Sequence, residues 1–190
     1  KKVVVVRSGI GKVNAAVCTQ ILIDDFQAEV VINTGIAGSL NADINIGDIV
    51  VSTDLVHHDM DAVAFGYPVG QVPQMEAFSF QSDVALRKIA VRACREVNPD
   101  IQVFEGRIAS GDQFIASQDV KDRIVANFDA WAVEMEGAAI AHAAYLNNVP
   151  FLVIRAISDK ADGSAQMDYP TFEAQAAQHS LKLTLRILKD

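Results

Sequence analysis

Short apolar runs alternate with helix-like segments along almost the whole chain, and this alternation constrains the fold more than any other feature. Most runs are apolar on both faces, which is typical of strands in a parallel or mixed sheet covered by helices. The pattern predicts an α/β fold, a single domain over residues 1–190 with a mixed central β-sheet flanked by helices. The predicted strands are 1–7, 28–35, 47–59, 101–111, 130–136 and 150–159; the predicted helices are 12–26, 82–97, 118–128, a segment from 137, and 171–190, with an irregular loop over 60–80.

The composition narrows the classes of partner. Of the 190 residues 51% are hydrophobic and the net charge is −8, which argues against nucleic acid because phosphate binding requires clustered Lys and Arg. No apolar run reaches the roughly 18 residues of a membrane span, and no signal peptide is recognisable. Cys18 and Cys94 are expected to be buried thiols in a reducing compartment. We therefore expect a cytoplasmic protein that acts on a small molecule, with neither a nucleic acid nor a membrane as partner.

Small and polar residues follow the predicted strands at five places. Ligands of open α/β sheets bind beyond the carboxyl ends of the strands, so these residues are the first candidates for a site. They are Ser8–Ile10, Gly35–Gly38, Ser110–Asp112, Glu134–Glu136 and Arg155–Asp159.

Two glutamates, Glu134 and Glu136, bracket Met135 in an otherwise apolar run. A buried carboxylate is costly unless another group pairs with it or a ligand uses it. By the period of two along a strand the two glutamates share a face. Glu136, at the last strand position, is suited to accept two hydrogen bonds from a vicinal diol such as that of ribose, whereas Glu134 is expected to be structural.

Arg155 and Asp159 stand out in the last predicted strand. A guanidinium inside a buried strand requires a carboxylate partner or a polar cavity, so Arg155 predicts one of the two. Asp159 follows Ser158 at the end of the strand. A carboxylic acid kept partly out of water has a raised pKa and can carry a proton at neutral pH, which makes Asp159 a candidate general acid. A turn cap is the alternative role for this side chain.

Two further segments predict contacts with a flat ligand. Gly35 and Gly38 allow the backbone to approach a ligand closely. Position 36 is Ile and no Arg is nearby, so this loop is a poor phosphate site. Phe114 and Ile115 offer an aromatic face and a backbone edge for a planar ring, or they belong to the core.

The segment HHDMD suggests a metal site at first sight. His57 and His58 point to opposite faces if the strand continues through them, so the two cannot bind one ion without distortion. We therefore expect no metal.

Together these segments resemble the purine nucleoside phosphorylase/nucleosidase superfamily, and within it most closely the 5′-methylthioadenosine/S-adenosylhomocysteine nucleosidases. The resemblance implies a nucleoside phosphorylase-like mixed sheet, a homodimer, no metal and no organic cofactor. It also implies hydrolysis of the bond between adenine and the thioribose. The matching segments, in order, are SGIGKVNAA, VINTGIAGSL, GDIVVS, HHDMDAVAFGYPVGQVP, SGDQFI, AVEMEGAAIAH and VPFLVIRAISDKAD.

The resemblance also implies roles for the catalytic residues. Asp159 would protonate N7 of the adenine, and Ser158 would position it. Arg155 would help to place the attacking water. Glu136 and the backbone of Met135 would hold the ribose hydroxyls.

Further substrate contacts are implied in the same way. Phe114 would stack on the adenine and the backbone of Ile115 would read its edge, while the loop at Ala37 and Gly38 would also bind substrate. Ile10 and Tyr169 would border the alkylthio group. Phe65 and Pro73 would contribute to the pocket of a neighbouring subunit.

The chain departs from the family pattern at two places. The family begins with a further strand and hairpin that carry a water-activating glutamate, and this segment would precede Lys1. A protein truly without it is expected to have little or no activity. Ile36 stands where many relatives carry a hydroxyl residue, so one hydrogen bond to the water would be lost.

Other functions are compatible with the same sequence. A purine nucleoside phosphorylase would use phosphate in place of water, and a futalosine hydrolase would act on a different nucleoside. A non-catalytic nucleoside-binding protein would have no use for the acid at Asp159. In a purely structural domain, Arg155 and Glu136 would form an internal ion pair.

Overall fold

The computed structural model describes residues 2–189 of the chain and shows an α/β fold. The strands are β1 (Val31–Ser39), β2 (Ile49–His57), β3 (Phe80–Gln81), β4 (Val103–Ser110), β5 (Ala132–Glu134) and β6 (Phe151–Asp159). The helices are α1 (Lys12–Asp24), α2 (Val84–Val97), α3 (Gln118–Phe128), α4 (Gly137–Leu146) and α5 (Ala165–Ile187), with a 3₁₀ turn at Val63–Phe65.

The six strands form one mixed sheet in the order β3-β2-β4-β5-β1-β6, which confirms the predicted fold class. β2 pairs in parallel with β4, β4 with β5, and β1 with β6. β1 is antiparallel to β5. β2 also pairs antiparallel with β6, so five of the strands close on themselves.

The antiparallel pairing of β1 with β5 determines which strand ends lie close together. Gly38 near the end of β1 pairs with Val133 of β5, so the earlier part of β1 extends past the carboxyl end of β5. β6 runs alongside β1, with Arg155 opposite Gly35. As a result the middle and the end of β6 both lie next to the end of β5, where Glu134 stands.

Helices cover both faces of the sheet. One cluster of buried residues joins α1 and α4 to the sheet, and a second joins α2 and α5 to it. The short side chains of α4 allow this helix to lie close to the sheet, with Ala138, Ala141 and Ala144 fully buried. None of the helices in residues 2–189 combines the length and the apolar character that crossing a membrane requires.

The predicted strand over residues 1–7 is wrong. Residues 2–9 form no strand, and the valines at positions 3–6 are between 39% and 88% exposed. A strand needs hydrogen bonds to a neighbouring strand, and none of the strands described here pairs with this segment. An apolar run shows β propensity, but it does not show that a partner strand is present.

Several element boundaries also differ from the prediction. The strand predicted over 28–35 extends to Ser39, so Gly35–Gly38, predicted as a loop, lies within β1, because this segment continues its pairing with β6. The strand predicted over 130–136 ends at Glu134, and Glu136 is the residue that precedes α4. The loop predicted over 60–80 includes a 3₁₀ turn and leads into the short strand β3. Helix α5 begins at Ala165, six residues before the predicted start, and includes Pro170 within it.

Candidate active site

Asp159 ends β6 with its side chain only 2% exposed. Its Oδ1 accepts a hydrogen bond from the Ala161 N–H at 2.8 Å, and its Oδ2 accepts one from the Ser158 hydroxyl at 2.9 Å. Burial raises the pKa of Asp159, and the two hydrogen bonds oppose this rise, while the negative charges of Asp168 and Asp162 add to it. The side chain is thus biased toward the protonated acid.

The surroundings of Asp159 require small residues. A Cβ atom on Gly38 would lie 2.8 Å from Asp159 Oδ1 and 2.8 Å from the Ala161 side chain, so only glycine allows this approach. Ala161 itself has a φ of 53°, in the left-handed region, which points its N–H at the carboxylate. The Ser158 hydroxyl lies between Asp159 and the Ala37 carbonyl, 3.4 Å away, and fixes the rotation of the carboxyl group.

Arg155 is buried in the middle of β6 and has the carboxylate partner that the sequence predicts. Its guanidinium forms a short ion pair with Glu134 and donates to Asn33 Oδ1 at 2.7 Å. The side chain crosses β1 at Gly35, where a Cβ atom would collide with Arg155 Nη1. Glu136 is a more distant partner, with Oε2 3.6 Å from Arg155 Nη2.

Glu134 has the supporting role that the sequence predicts, and its contacts show how. The carboxylate accepts the N–H groups of Glu136 at 3.0 Å and Gly137 at 2.8 Å, so it caps the N-terminus of α4. The Ser110 hydroxyl also donates to Glu134 and accepts the Ala138 N–H at 2.7 Å. Strands β4, β5 and β6 and helix α4 are joined at this one side chain.

Glu136 directly precedes α4. One of its carboxylate oxygens accepts a hydrogen bond, and the other faces the guanidinium of Arg155. Its Oε1 accepts the Gly11 N–H at 2.9 Å, across 125 residues of sequence. Burial raises the pKa of Glu136, while the Arg155 charge opposes the rise. The side chain therefore presents a fixed carboxyl group next to the cleft.

A narrow cleft opens beside Asp159. Phe114 is half exposed at its rim, in edge-to-face contact with Tyr169 at 5.8 Å between ring centroids. The cleft brings together several of the residues predicted from the sequence, including Glu134, and adds two that the sequence does not predict, Gln113 and Val133. The lining residues are Gly38, Gln113, Phe114, Ile115, Val133, Glu134, Met135 and Asp159.

The remaining predicted residues divide into two groups. Arg155, Ser158, Ala37 and Glu136 adjoin the cleft through the contacts given above, and Ile10 is exposed next to the Gly11 amide that holds Glu136. Two others are not brought to this cleft. Phe65 is 84% exposed in the 3₁₀ turn, and Pro73 lies in the following loop, outside the lining residues.

The adjacent residues His57 and His58 contact different parts of the protein. The ring of His57 lies 3.4 Å from the ring of His142, nitrogen to nitrogen, and burial lowers the pKa of His57 to about 4. His58 packs against the backbone of Gly111. Within residues 2–189, no three His, Cys, Asp or Glu side chains are grouped as a metal site would require.

Sequence reasoning misses a set of contacts next to Glu136. Asp112, predicted only as part of the candidate segment Ser110–Asp112, accepts the Lys12 N–H at 2.8 Å from a position 100 residues away. Lys12 also forms an ion pair with Asp59 at 2.6 Å. The residues occur in the matching segments SGIGK, HHDMD and SGDQFI, but nothing in their spacing signals that they meet.

The fold and the site define a class of protein. It has a mixed α/β fold, a buried acid, and a cleft with an aromatic residue at its rim where β1, β5 and β6 meet. The chain matches the family model of the phosphorylase superfamily over residues 1–189. This chain belongs to that superfamily.

The similar proteins are nucleosidases and related hydrolases. A 5′-methylthioadenosine/S-adenosylhomocysteine nucleosidase of Bacillus licheniformis is 48% identical over 190 residues, which is all of this chain and 81% of the relative. The Neisseria meningitidis nucleosidase, solved with methylthio-immucillin-A, is 45% identical with a TM-score of 0.91, over 96% of this chain and 78% of that one. The futalosine hydrolase of Helicobacter pylori is 39% identical with a TM-score of 0.91, over 96% and 77%.

Proposed function

We propose that this protein hydrolyses the N-glycosidic bond of 5′-methylthioadenosine and S-adenosylhomocysteine and releases adenine and the thioribose. It is an N-glycosyl hydrolase, like the nucleosidases to which it is similar over its whole length. The observation that carries the proposal is the buried Asp159 carboxyl, with its raised pKa, on a cleft edged by Phe114.

The chemistry begins with the leaving group. Cleavage of an N-ribosyl bond develops positive charge on the sugar and negative charge on the departing base. A proton delivered from Asp159 to N7 makes adenine a far better leaving group, and general acid catalysis of this kind is worth about 10²–10⁴-fold. Phe114 stacks on the base, and the backbone of Ile115 contacts its edge.

The sugar is held from the other side of the cleft. Glu136 accepts hydrogen bonds from the ribose hydroxyls, and its negative charge favours the cationic sugar of the transition state. Met135 forms part of the wall at the ribose, and the Arg155 guanidinium helps to orient the water. Ile10 and Tyr169 border the 5′ substituent.

Water, not phosphate, is the nucleophile that the charges favour. A phosphate dianion requires several charge-assisted donors. The described lining of the cleft includes no Lys or Arg, and the guanidinium next to it is already paired with Glu134. These contacts support a hydrolase over a phosphorylase.

The homodimer is a further part of the proposal. Val13, Val17 and Ile21 form an exposed apolar stripe along α1, and Phe65 is exposed in the 3₁₀ turn. Apolar surface of this kind marks an interaction site, and a second copy would receive Phe65 and Pro73 at its pocket. Analytical ultracentrifugation tests the assembly. Cys94 is buried as predicted, whereas Cys18 is only partly buried because it lies on a face of α1 that the sheet does not fully cover; both are free thiols, which accords with the cytoplasmic location that we also propose.

The function is tested by incubating the protein, in its full natural length, with 5′-methylthioadenosine, S-adenosylhomocysteine or futalosine. We expect free adenine from the first two, at a rate that does not change when phosphate is added. Adenine release that depends on phosphate would mean a phosphorylase. Preferential cleavage of futalosine would mean the related hydrolase.

A further inference from the structure

A closed ring of bonds joins three loops next to Glu136. Lys12 Nζ contacts Asp59 Oδ1 at 2.6 Å, and Asp59 Oδ2 accepts the Asp112 N–H at 2.9 Å. Asp112 Oδ1 in turn accepts the Lys12 N–H at 2.8 Å. The ring therefore connects the start of α1 with the segments that follow β2 and β4. We call these three residues the Lys12–Asp59–Asp112 ring.

The ring fixes a backbone amide that holds Glu136 from across the chain. Gly11 directly precedes Lys12 and donates its N–H to Glu136 Oε1 at 2.9 Å. Glycine is required here because φ is 92° and because a Cβ atom would lie only 3.1 Å from Asp112 Oδ1. Because the next residue is held at its N–H and at its side chain, the Gly11 amide has little freedom to turn away from Glu136.

Each negative charge of the ring faces a positive group. The negative Asp59 faces the positive Lys12, and Asp112 faces the N-terminus of α1, where the free N–H groups carry partial positive charge. Helix α1 has no side-chain cap of its own at Gly11, so Asp112 supplies this cap from another part of the chain. Both members of the ion pair are about one-fifth exposed, so the pair is shielded from water but is not part of the core.

We propose that Asp59 is a positioning residue for the ribose: through Lys12 and Asp112 it fixes the Gly11 amide, which orients Glu136 toward the sugar hydroxyls. Asp59 is not among the residues that line the cleft. The inference rests on the proposed function, because it assigns Glu136 to the ribose diol.

The proposal predicts that Asp59→Asn weakens the recognition of the sugar hydroxyls. The readout is the ratio of kcat/KM for 5′-methylthioadenosine to kcat/KM for its 3′-deoxy analogue. The 3′ hydroxyl is chosen because it is farther from the anomeric carbon than the 2′ hydroxyl. Its removal therefore has a smaller effect on the positive charge that develops there. We expect roughly a 10-fold fall for the parent substrate, the effect of one charge-assisted hydrogen bond, and less than about a 2-fold fall for the analogue.

A second variant and a control accompany the measurement. Lys12→Met breaks the ring at another point and should lower the same ratio, and the double variant should be no worse than Asp59→Asn alone, because both changes open one ring. The control is Glu96→Gln, which removes a charge from the surface ion pair with Arg186 and should leave the ratio unchanged.

Two results separate this inference from the proposed function. If Asp59→Asn and Lys12→Met lower kcat/KM equally for both substrates, the ring has only a structural role and the inference is overturned. If the unsubstituted protein releases no adenine, the proposed function fails. In that case the affinity ratio of the two nucleosides, measured by calorimetry for the unsubstituted protein and for Asp59→Asn, still decides whether Asp59 controls hydroxyl recognition.

Discussion

Two buried carboxylates of the same cleft, Glu134 and Asp159, have opposite surroundings. Glu134 receives the Arg155 guanidinium, a hydroxyl and two backbone N–H groups, all of them donors. Asp159 receives one hydroxyl and one N–H group, and the nearby charges that raise its pKa are those of carboxylates. The contrast shows how adjacent strand ends can hold a carboxylate surrounded by donors and a carboxyl group with a raised pKa side by side.

Glu134→Gln should have the largest effect on stability, because it leaves the Arg155 charge buried without its main partner. We expect a loss of about 3–5 kcal/mol in the free energy of unfolding, measured by urea denaturation. The surface variant Glu96→Gln should cost less than about 1 kcal/mol. Equal and small losses for the two variants would show that Glu134 is not the structural anion.

Gly38→Ala should disturb the acid and leave the structural anion in place. The added methyl group would lie 2.8 Å from Asp159 Oδ1, so the carboxyl must move. A displacement of about 1 Å can lower kcat by about 10²-fold. Steady-state kinetics measure the loss. The matched control is Gly163→Ala, where the added methyl group would meet nothing within 4 Å; similar losses for both variants would contradict this account.

The smallest effect is a pH dependence of stability that belongs to Asp159 alone. Burial raises the pKa of this carboxyl in the folded state above its ordinary value of 3.8. The unfolded chain therefore releases the proton first, and Asp159 destabilises the fold progressively as the pH rises from 3.8 through the raised pKa. Asn does not titrate, so Tm of Asp159→Asn minus Tm of the unsubstituted protein should increase over this window and then level off. A difference that stays constant or falls would refute the raised pKa.

The sequence predicts the Asp159 half of this comparison better than the Glu134 half. Asp159 follows a long apolar run, and its position at the end of a buried strand is a local property that periodicity reveals. Arg155 likewise predicts a carboxylate partner. Whether that partner is Glu134 or Glu136 depends on how β1 pairs with β5 and β6, and no local sequence pattern encodes this pairing.

Long-range pairing explains the other differences as well. The valines at positions 3–6 have the composition of a strand, yet they have no partner strand among the described residues. The Lys12–Asp59–Asp112 ring joins side chains that are up to 100 residues apart. Spacing along the chain carries no signal for such contacts, whereas the helix cap that Asp83 provides to Leu86, three residues away, can be predicted from the sequence.

The most direct test of the central claim compares two leaving groups in Asp159→Asn. Adenine requires the proton that Asp159 would deliver, whereas the nitrophenolate of the 4-nitrophenyl riboside with the same 5-methylthio group departs without one. We predict that the variant loses about 10²–10⁴-fold in kcat for 5′-methylthioadenosine and less than about 10-fold for the nitrophenyl substrate. Equal losses for the two substrates would contradict the assignment of Asp159 as the acid that protonates the departing base.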